Sequence, residues 1–170
     1  MTHRLLVFGD SWAYGSELDV EHREQQCFGG QLAQMLMVDS VHNCAETGSS
    51  ISHLHIQIQN ALTRIDYDPA DRYTAVFFLT GQQRFLAFDP DQQFYNLIPL
   101  GASIRPVQQH HRALIDMVND FYYKNIQSDL TDIISLNTNL LALQSVCRYH
   151  EIDDYYISGW QDLHVWPEVD

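Results

Sequence analysis

Residues 5–18, LLVFGDSWAYGSEL, contain an apolar run that stops at Gly-Asp-Ser and gives way to glycine, aromatic and small polar residues. A continuous apolar run predicts a strand buried on both faces, which is typical of a parallel sheet covered by helices. We predict this first strand over Arg4–Phe8. It delivers Ser11 to the loop that follows its carboxyl end.

The rest of the chain alternates strand and helix signals, which is the pattern of an α/β fold. Three further strands are predicted, at Val38–Asn43, Thr74–Leu79 and Asp154–Ser158. Four helices are predicted, over 26–37, over 51–65, from near Pro106 and from about Ser128. Because there is no repeat, low-complexity tract or linker, we expect residues 1–170 to form a single domain.

Apolar residues at helical spacing predict the buried face of each helix. The predicted inward residues are Leu32, Met35 and Leu36 in the first helix; Ile51, Leu54, Ile58, Ala61, Leu62 and Ile65 in the second; Val107, Leu114, Ile115, Val118 and Phe121 in the third; and Leu130, Ile133, Ile134, Leu140, Leu141 and Cys147 in the fourth. Ser49 or Ser50 is predicted to cap the second helix.

Residues 82–105 show no periodicity and are predicted to form a long loop. Loops of this length are usually functional or mobile. This one carries four aromatic residues, Phe85, Phe88, Phe94 and Tyr95. They are interpreted either as a lid over a site or as a surface for a partner.

Composition limits the classes of partner. The chain has 9 Lys+Arg against 22 Asp+Glu, a formal net charge of −13. Such a charge repels nucleic-acid phosphate and anionic lipid, so we expect neither nucleic acid nor membrane as a partner. A nucleic-acid mimic is disfavoured because the acidic residues are scattered rather than arranged in runs.

Cysteine spacing and the amino terminus indicate the compartment. Cys27, Cys44 and Cys147 are far apart and odd in number, which favours free thiols over a disulfide framework. The first strand is predicted so close to Met1 that no room remains for a signal peptide, and no apolar stretch approaches the length of a membrane span. These features predict a cytoplasmic protein.

Reactive and polar residues follow the predicted strand ends. They occur in the segments Gly9-Asp10-Ser11, Glu46–Ser50, Thr80–Arg84 and Gly159–His164. The carboxyl ends of parallel strands are where α/β folds bind ligands. Together these segments offer a serine, glycine amides, an arginine, and a histidine with a nearby aspartate, which are the groups that acyl transfer requires.

On these residues the chain resembles the SGNH or GDSL-type hydrolases, over nearly its whole length. The segment VFGDSWAYG is similar to the family's first motif, and Asn43-Cys44-Ala45-Glu46-Thr47-Gly48-Ser49-Ser50 is similar to its second. The resemblance implies a flavodoxin-like α/β/α sandwich with a mostly parallel sheet. It implies Ser11 as nucleophile, the amides of Ser11 and Gly48 as oxyanion donors, and Asp10 in the substrate-binding set.

The third and fourth motifs depart from the family pattern. Arg84 stands where the family has an asparagine, and it is interpreted either as an oxyanion donor or as a clamp on an acidic group of the substrate. The family has D-x-x-H after the last strand, whereas Asp162 lies only two residues before His164. The resemblance implies His164 as the base, with Asp162 as its partner. The chain ends six residues after His164, so the closing family helix is either absent by nature or lost from a shortened product.

Each candidate has a structural alternative. Ser11 could simply cap a helix, Gly48 could be a turn glycine with positive φ, and His164 could be a surface histidine near the chain end. Three further features are interpreted as structural: His55 as a core histidine with its hydrogen bonds satisfied, His110-His111 as an exposed turn, and Trp12 as a packing residue.

The sequence therefore predicts a serine-dependent hydrolase of a small ester, such as an acyl or acetyl group on a carbohydrate. The implied mechanism needs no cofactor, and no metal-ligand spacing occurs in the sequence. The alternative is a catalytically degenerate member of the same fold that binds a ligand or a protein, which the altered third and fourth motifs favour.

Overall fold

The computed structural model describes residues 1–81, 84–88, 94–97, 116–117, 120–158 and 167. Its strands are β1 (His3–Phe8), β2 (Ser40–Asn43), β3 (Arg72–Leu79), β4 (Phe85–Phe88), β5 (Phe94–Leu97) and β6 (Asp153–Ser158). Its helices are α1 (Ser11–Tyr14), α2 (Arg23–Gln26), α3 (Phe28–Leu36), a 3₁₀ turn (Ile51–His53), α4 (Leu54–Arg64), α5 (helical at 116–117 and 120–125) and α6 (Asp129–Tyr149).

Four strands form one parallel sheet in the order β2-β1-β3-β6. The register pairs Val7 with Asn43 and with Val76, and Val76 in turn with Tyr155. This is the strand order of flavodoxin-like folds, and it confirms the predicted α/β class. None of the helices in the described ranges is long and apolar enough to span a membrane.

Alternate residues of the central strands pack into two cores, one on each face of the sheet. Leu6 and Phe8 pack with α4 and α6, whereas Leu5 and Val7 pack with α1 and α3. All four side chains are fully buried. The sheet is therefore covered on both faces, as the apolar β1 sequence predicts.

The helix after β2 matches its prediction closely. Ser50 accepts a hydrogen bond from the His53 amide at the start of the 3₁₀ turn, so it is the predicted cap. The predicted face is also confirmed, because most of its residues are buried and Leu62 packs against them at the core margin. An apolar period that matches 3.6 residues per turn is a reliable signal when the whole face is apolar.

The predicted helix over 26–37 is wrong in its extent and in its buried face. The backbone is extended at Cys27, which separates α2 from α3. Met35 is 79% exposed and the inward side is formed by Gly29 and Gly30. A Cβ at Gly30 would lie 2.1 Å from Glu24 O, so α2 and α3 approach at a distance that only glycine allows.

The predicted loop over 82–105 is wrong where it is described, since β4 and β5 pair as an antiparallel hairpin with Phe88 opposite Phe94. Each strand has four residues, which is too short to give a clear alternation in the sequence. Their aromatic residues suit strands, and that propensity was the available signal.

The two later helices keep their positions but not all of their predicted faces. Phe121, Leu130 and Ile134 are exposed rather than inward. In α6 the buried side includes the polar residues Asp132, Asn137 and Gln144 alongside leucines. The beginning of the helix predicted near Pro106 lies outside the described residues. Ser128 caps α6 through a capping box with Thr131.

Candidate functional site

Three of the four segments singled out in the sequence follow β1, β2 and β3, which are neighbours in the sheet. Because these strands are parallel, their carboxyl ends lie at one edge. That edge carries Ser11 after β1, Gly48 after β2 and Arg84 after β3. The fourth segment, with Asp162 and His164, lies outside the described residues.

Ser11 is the first residue of α1, a helix of four residues. Asp10 caps this helix, since its Oδ1 accepts from the Trp12 amide at 3.1 Å. Ser11 is half-buried, and its own backbone N–H has no acceptor among the described residues. Its amide is thus available to an external acceptor. The side chain of Trp12 is 61% exposed, so its predicted packing role is wrong.

Gly48 is buried and has φ of 76°, in the left-handed region that favours glycine. Its backbone N–H also has no acceptor within the described part of the chain. Two contacts hold its loop against β1: the Glu46 amide donates to Gly9 O at 3.0 Å, and the hydroxyls of Ser16 and Thr47 are 3.1 Å apart. The turn role and an oxyanion role are therefore compatible at this glycine.

Arg84 connects the ends of the three strands. Its Nη1 donates to Asp10 Oδ2 at 3.0 Å and to Ser49 O at 2.9 Å. The Asp10 side chain is 2% exposed and that of Arg84 is 20% exposed. Both Asp10 oxygens are therefore engaged inside the protein, whereas Arg84 keeps a partly open side. Truncating one member of so buried a pair would leave the other charge uncompensated.

A buried polar network that the sequence analysis missed lies beneath this edge. Gln57 Nε2 donates to Ser49 Oγ at 2.7 Å, and Ser49 Oγ lies 3.1 Å from His53 Nδ1. His53 Nε2 is 3.9 Å from Glu46 Oε2. Ser49, His53 and Gln57 recur every four residues on the inward face of the 3₁₀ turn and α4, and that spacing was the signal in the sequence.

Ser49, His53 and Glu46 have the composition of a catalytic triad but not its accessibility. Ser49 and His53 are both 0% exposed, so no substrate can reach the Ser49 hydroxyl. The shortest bond from that hydroxyl, 2.7 Å, goes to Glu46 O, so His53 Nδ1–H donates to Ser49 Oγ. A nucleophile and its base need the opposite arrangement. We interpret this group as the support of the Gly48 loop.

The beginning of α6 and the end of α5 lie within electrostatic reach of Arg84. Burial raises the pKa of Tyr123, and the Arg84 charge opposes that rise. Burial also raises the pKa of Asp132, whose Oδ2 accepts from Gln127 Nε2 at 2.8 Å. No group of three or more His, Cys, Asp or Glu side chains in the described ranges is placed to hold a metal ion.

Two other predictions concern histidines and cysteines away from this edge. His55 is half-buried with Nε2 2.9 Å from Asn139 Oδ1, and burial lowers its pKa, which confirms a hydrogen-bonded structural histidine. The three cysteines are free thiols, as predicted. His110 and His111 lie outside the described residues.

Comparison with known proteins gives little independent information. No family model matches the chain, and no curated protein matches it. Among solved structures, a mutant of the esterase AlinE4 aligns with 100% of this chain and 64% of its own length, at 13% identity and a TM-score of 0.49. The chain thus spans less than two thirds of that esterase. The parallel pairing and strand order establish the fold without this alignment.

Proposed function

We propose that this protein is a serine-dependent hydrolase of small esters, of the SGNH type, with Ser11 as the nucleophile. The observation that carries the proposal is the pair of amides at Ser11 and Gly48, which have no acceptor among the described residues and follow neighbouring parallel strands. Two fixed N–H donors beside a serine are what an acyl-transfer site requires for a developing oxyanion. A helix cap alone would explain Ser11 but not the second amide.

In the proposed reaction, Ser11 Oγ attacks the ester carbonyl carbon while its proton passes to His164. The carbonyl oxygen becomes an oxyanion and accepts hydrogen bonds from the Ser11 and Gly48 amides. The bond to the alcohol then breaks, and His164 returns the proton to the departing oxygen. Water, deprotonated by His164, cleaves the acyl-serine and restores the hydroxyl of Ser11.

The buried contacts supply the rigidity that such a site needs. Gln57 holds Gly9 on one side of the edge and Ser49 on the other, so the loops that carry both amides share one support. Preorganised donors stabilise a transition state without the cost of reorienting during the reaction. Acyl or acetyl esters of a carbohydrate belong to the proposed substrate range, and a small-molecule ester is the proposed partner.

The alternative is a binding module that lacks activity. The observation that favours it is Arg84, which replaces the family asparagine and is bound to Asp10. Asp162 adds to this, because it is one position out of the family register with His164. A fold of this kind could keep its ligand cleft and lose its chemistry.

Turnover of 4-nitrophenyl acetate by purified variants separates these two functions. We expect the wild type to be active, Ser11→Ala and His164→Ala to lose most activity, and Asp162→Asn to lose only a modest part. Ser16→Ala is the matched control, since Ser16 is exposed in the same segment and contacts only the Thr47 hydroxyl through its side chain. If folded Ser11→Ala keeps full activity, the proposal is wrong. A wild type that turns over no ester favours the binding module.

A further inference from the structure

Arg84 is fixed in place by one of its three nitrogens. Both protons of Nη1 are used, on Asp10 Oδ2 and Ser49 O. These two acceptors belong to different loops, so they define the plane of the guanidinium as well as its position. An arginine held in this way binds a ligand without losing further side-chain entropy.

The opposite edge of the same guanidinium is open. Nε and Nη2 of Arg84 have no acceptor within the described ranges. Arg4 and Arg23 differ, because each bonds internal acceptors through all three nitrogens. A Cβ built on Gly81, whose carbonyl accepts from the Arg84 amide, would meet nothing within 4 Å. There is therefore open space beside Arg84 at the end of β3.

The Nε and Nη2 protons of an arginine point in parallel and match the two oxygens of a carboxylate. We infer that this edge of Arg84 binds a carboxylate carried by the ester substrate, so that the protein selects anionic esters over neutral ones. This inference rests on the proposed function, because it names the substrate class of the same site. Asp10 takes no part in the contact and acts as a positioning residue for Arg84.

The charge of the protein makes this contact selective rather than general. A net charge of −13 repels small anions at the surface, but salt screens that repulsion within about 8–10 Å. Only a carboxylate that reaches the guanidinium itself gains the paired hydrogen bonds. Neutral esters neither gain from the fork nor lose when it is removed.

Matched ester pairs test the inference and locate the carboxylate. 3-Acetoxybenzoate and phenyl acetate differ by a carboxylate on the alcohol side, whereas the 4-nitrophenyl esters of glutarate and pentanoate differ by one on the acyl side. Arg84→Lys keeps a positive partner for Asp10 but lacks the fork, and Arg84→Gln removes the charge. Arg72→Gln is the control, since Arg72 begins β3 at the opposite edge of the sheet and binds Asp153.

We expect Arg84→Lys and Arg84→Gln to lower kcat/KM about 10- to 100-fold for the carboxylate-bearing ester of one pair, chiefly through KM. The neutral ester should change less than about threefold, and Arg72→Gln should change neither. A loss of equal size for both esters would assign Arg84 to the oxyanion and overturn the inference. Melting temperatures identify any variant that loses activity by unfolding.

A binding measurement keeps the inference separate from the proposed function. Glutarate and benzoate are titrated into ¹⁵N-arginine-labelled Ser11→Ala protein, and the Nε–H signals of Arg84 and Arg72 are followed. We expect either anion to shift the Arg84 signal and leave the Arg72 signal in place. If no ester is turned over but this shift occurs, the anion site stands and only the esterase proposal fails. If neither anion shifts Arg84, the inference is wrong even when Ser11 is reactive.

Discussion

The side-chain amide of Gln57 pairs with both backbone groups of Gly9. The Gly9 N–H donates to Gln57 Oε1 at 2.9 Å, and Gln57 Nε2 donates to Gly9 O at 2.9 Å. Gln57 is 1% exposed, so water cannot replace these bonds. A side chain from α4 thus completes the hydrogen bonding of β1 where the strand ends and the candidate site begins.

We expect Gln57→Leu to lower the free energy of unfolding by about 2–3 kcal/mol, because it leaves the buried Gly9 N–H without its acceptor. Urea unfolding measures this change. Gln59→Leu is the control on the exposed face of the same helix and should change stability by less than about 0.5 kcal/mol. Equal effects of the two substitutions would show that the Gly9 contact contributes nothing.

Gly9→Ala should destabilise the protein by about 2 kcal/mol or more. Gly9 has φ of 150°, and a Cβ there would lie 2.7 Å from Phe78 Cβ and 2.9 Å from Ala13 Cβ. Gly81→Ala is the matched control, since its Cβ would enter open space. Thermal unfolding of both variants checks the prediction, and a Gly9→Ala protein as stable as Gly81→Ala would contradict it.

Gly48→Ala tests whether the buried glycine has a role beyond its turn. A side chain at φ of 76° costs about 1–2 kcal/mol, and loss of one oxyanion donor costs about 10²–10³ in rate. Gly48→Asn relieves the backbone strain, because asparagine adopts this conformation more readily, but it still crowds the amide. We expect Asn to recover stability without recovering turnover. Activity that follows stability in both variants would assign Gly48 to the turn alone.

Asp132 should make stability depend on pH. Burial raises its pKa in the folded state, so the folded protein holds this proton more tightly than the unfolded chain does. The contribution is therefore present below about pH 4, the unfolded value, and is lost as pH rises through the raised pKa. Relative to wild type, Asp132→Asn should gain unfolding free energy between pH 4 and pH 8. Urea unfolding at both pH values measures it, and a difference that does not change with pH would contradict the assignment.

The sequence predicts the parts of this fold that depend on continuous apolar patterns. β1, β3 and the inward face of α4 are such parts, because their buried residues are nearly all apolar. The same patterns fail where burial depends on contacts made across the fold. Gly30 is inward because α2 comes within reach of it, and Asn137 and Gln144 are buried polar residues in a leucine-rich helix. Apolar periodicity records neither of these.

Much the same division holds at the candidate site. The motifs identify Ser11, Gly48 and Arg84 because each follows a strand, and strand ends converge by topology. They do not identify Asp10 as the partner of Arg84, or His53 and Gln57 as the support beneath Gly48. Those contacts join residues from separate elements, so a pattern read along the chain does not contain them.

Labelling with a fluorophosphonate probe, followed by mass-spectrometric mapping of the modified residue, tests the central claim most directly. The probe phosphonylates a serine only when that hydroxyl is activated, so it reports on the nucleophile without requiring the natural ester. We predict a single adduct on Ser11 that is absent from Ser11→Ala and from heat-denatured wild type. Absence of any adduct on folded wild type, or an adduct on another serine with Ser11 unmodified, would contradict the account.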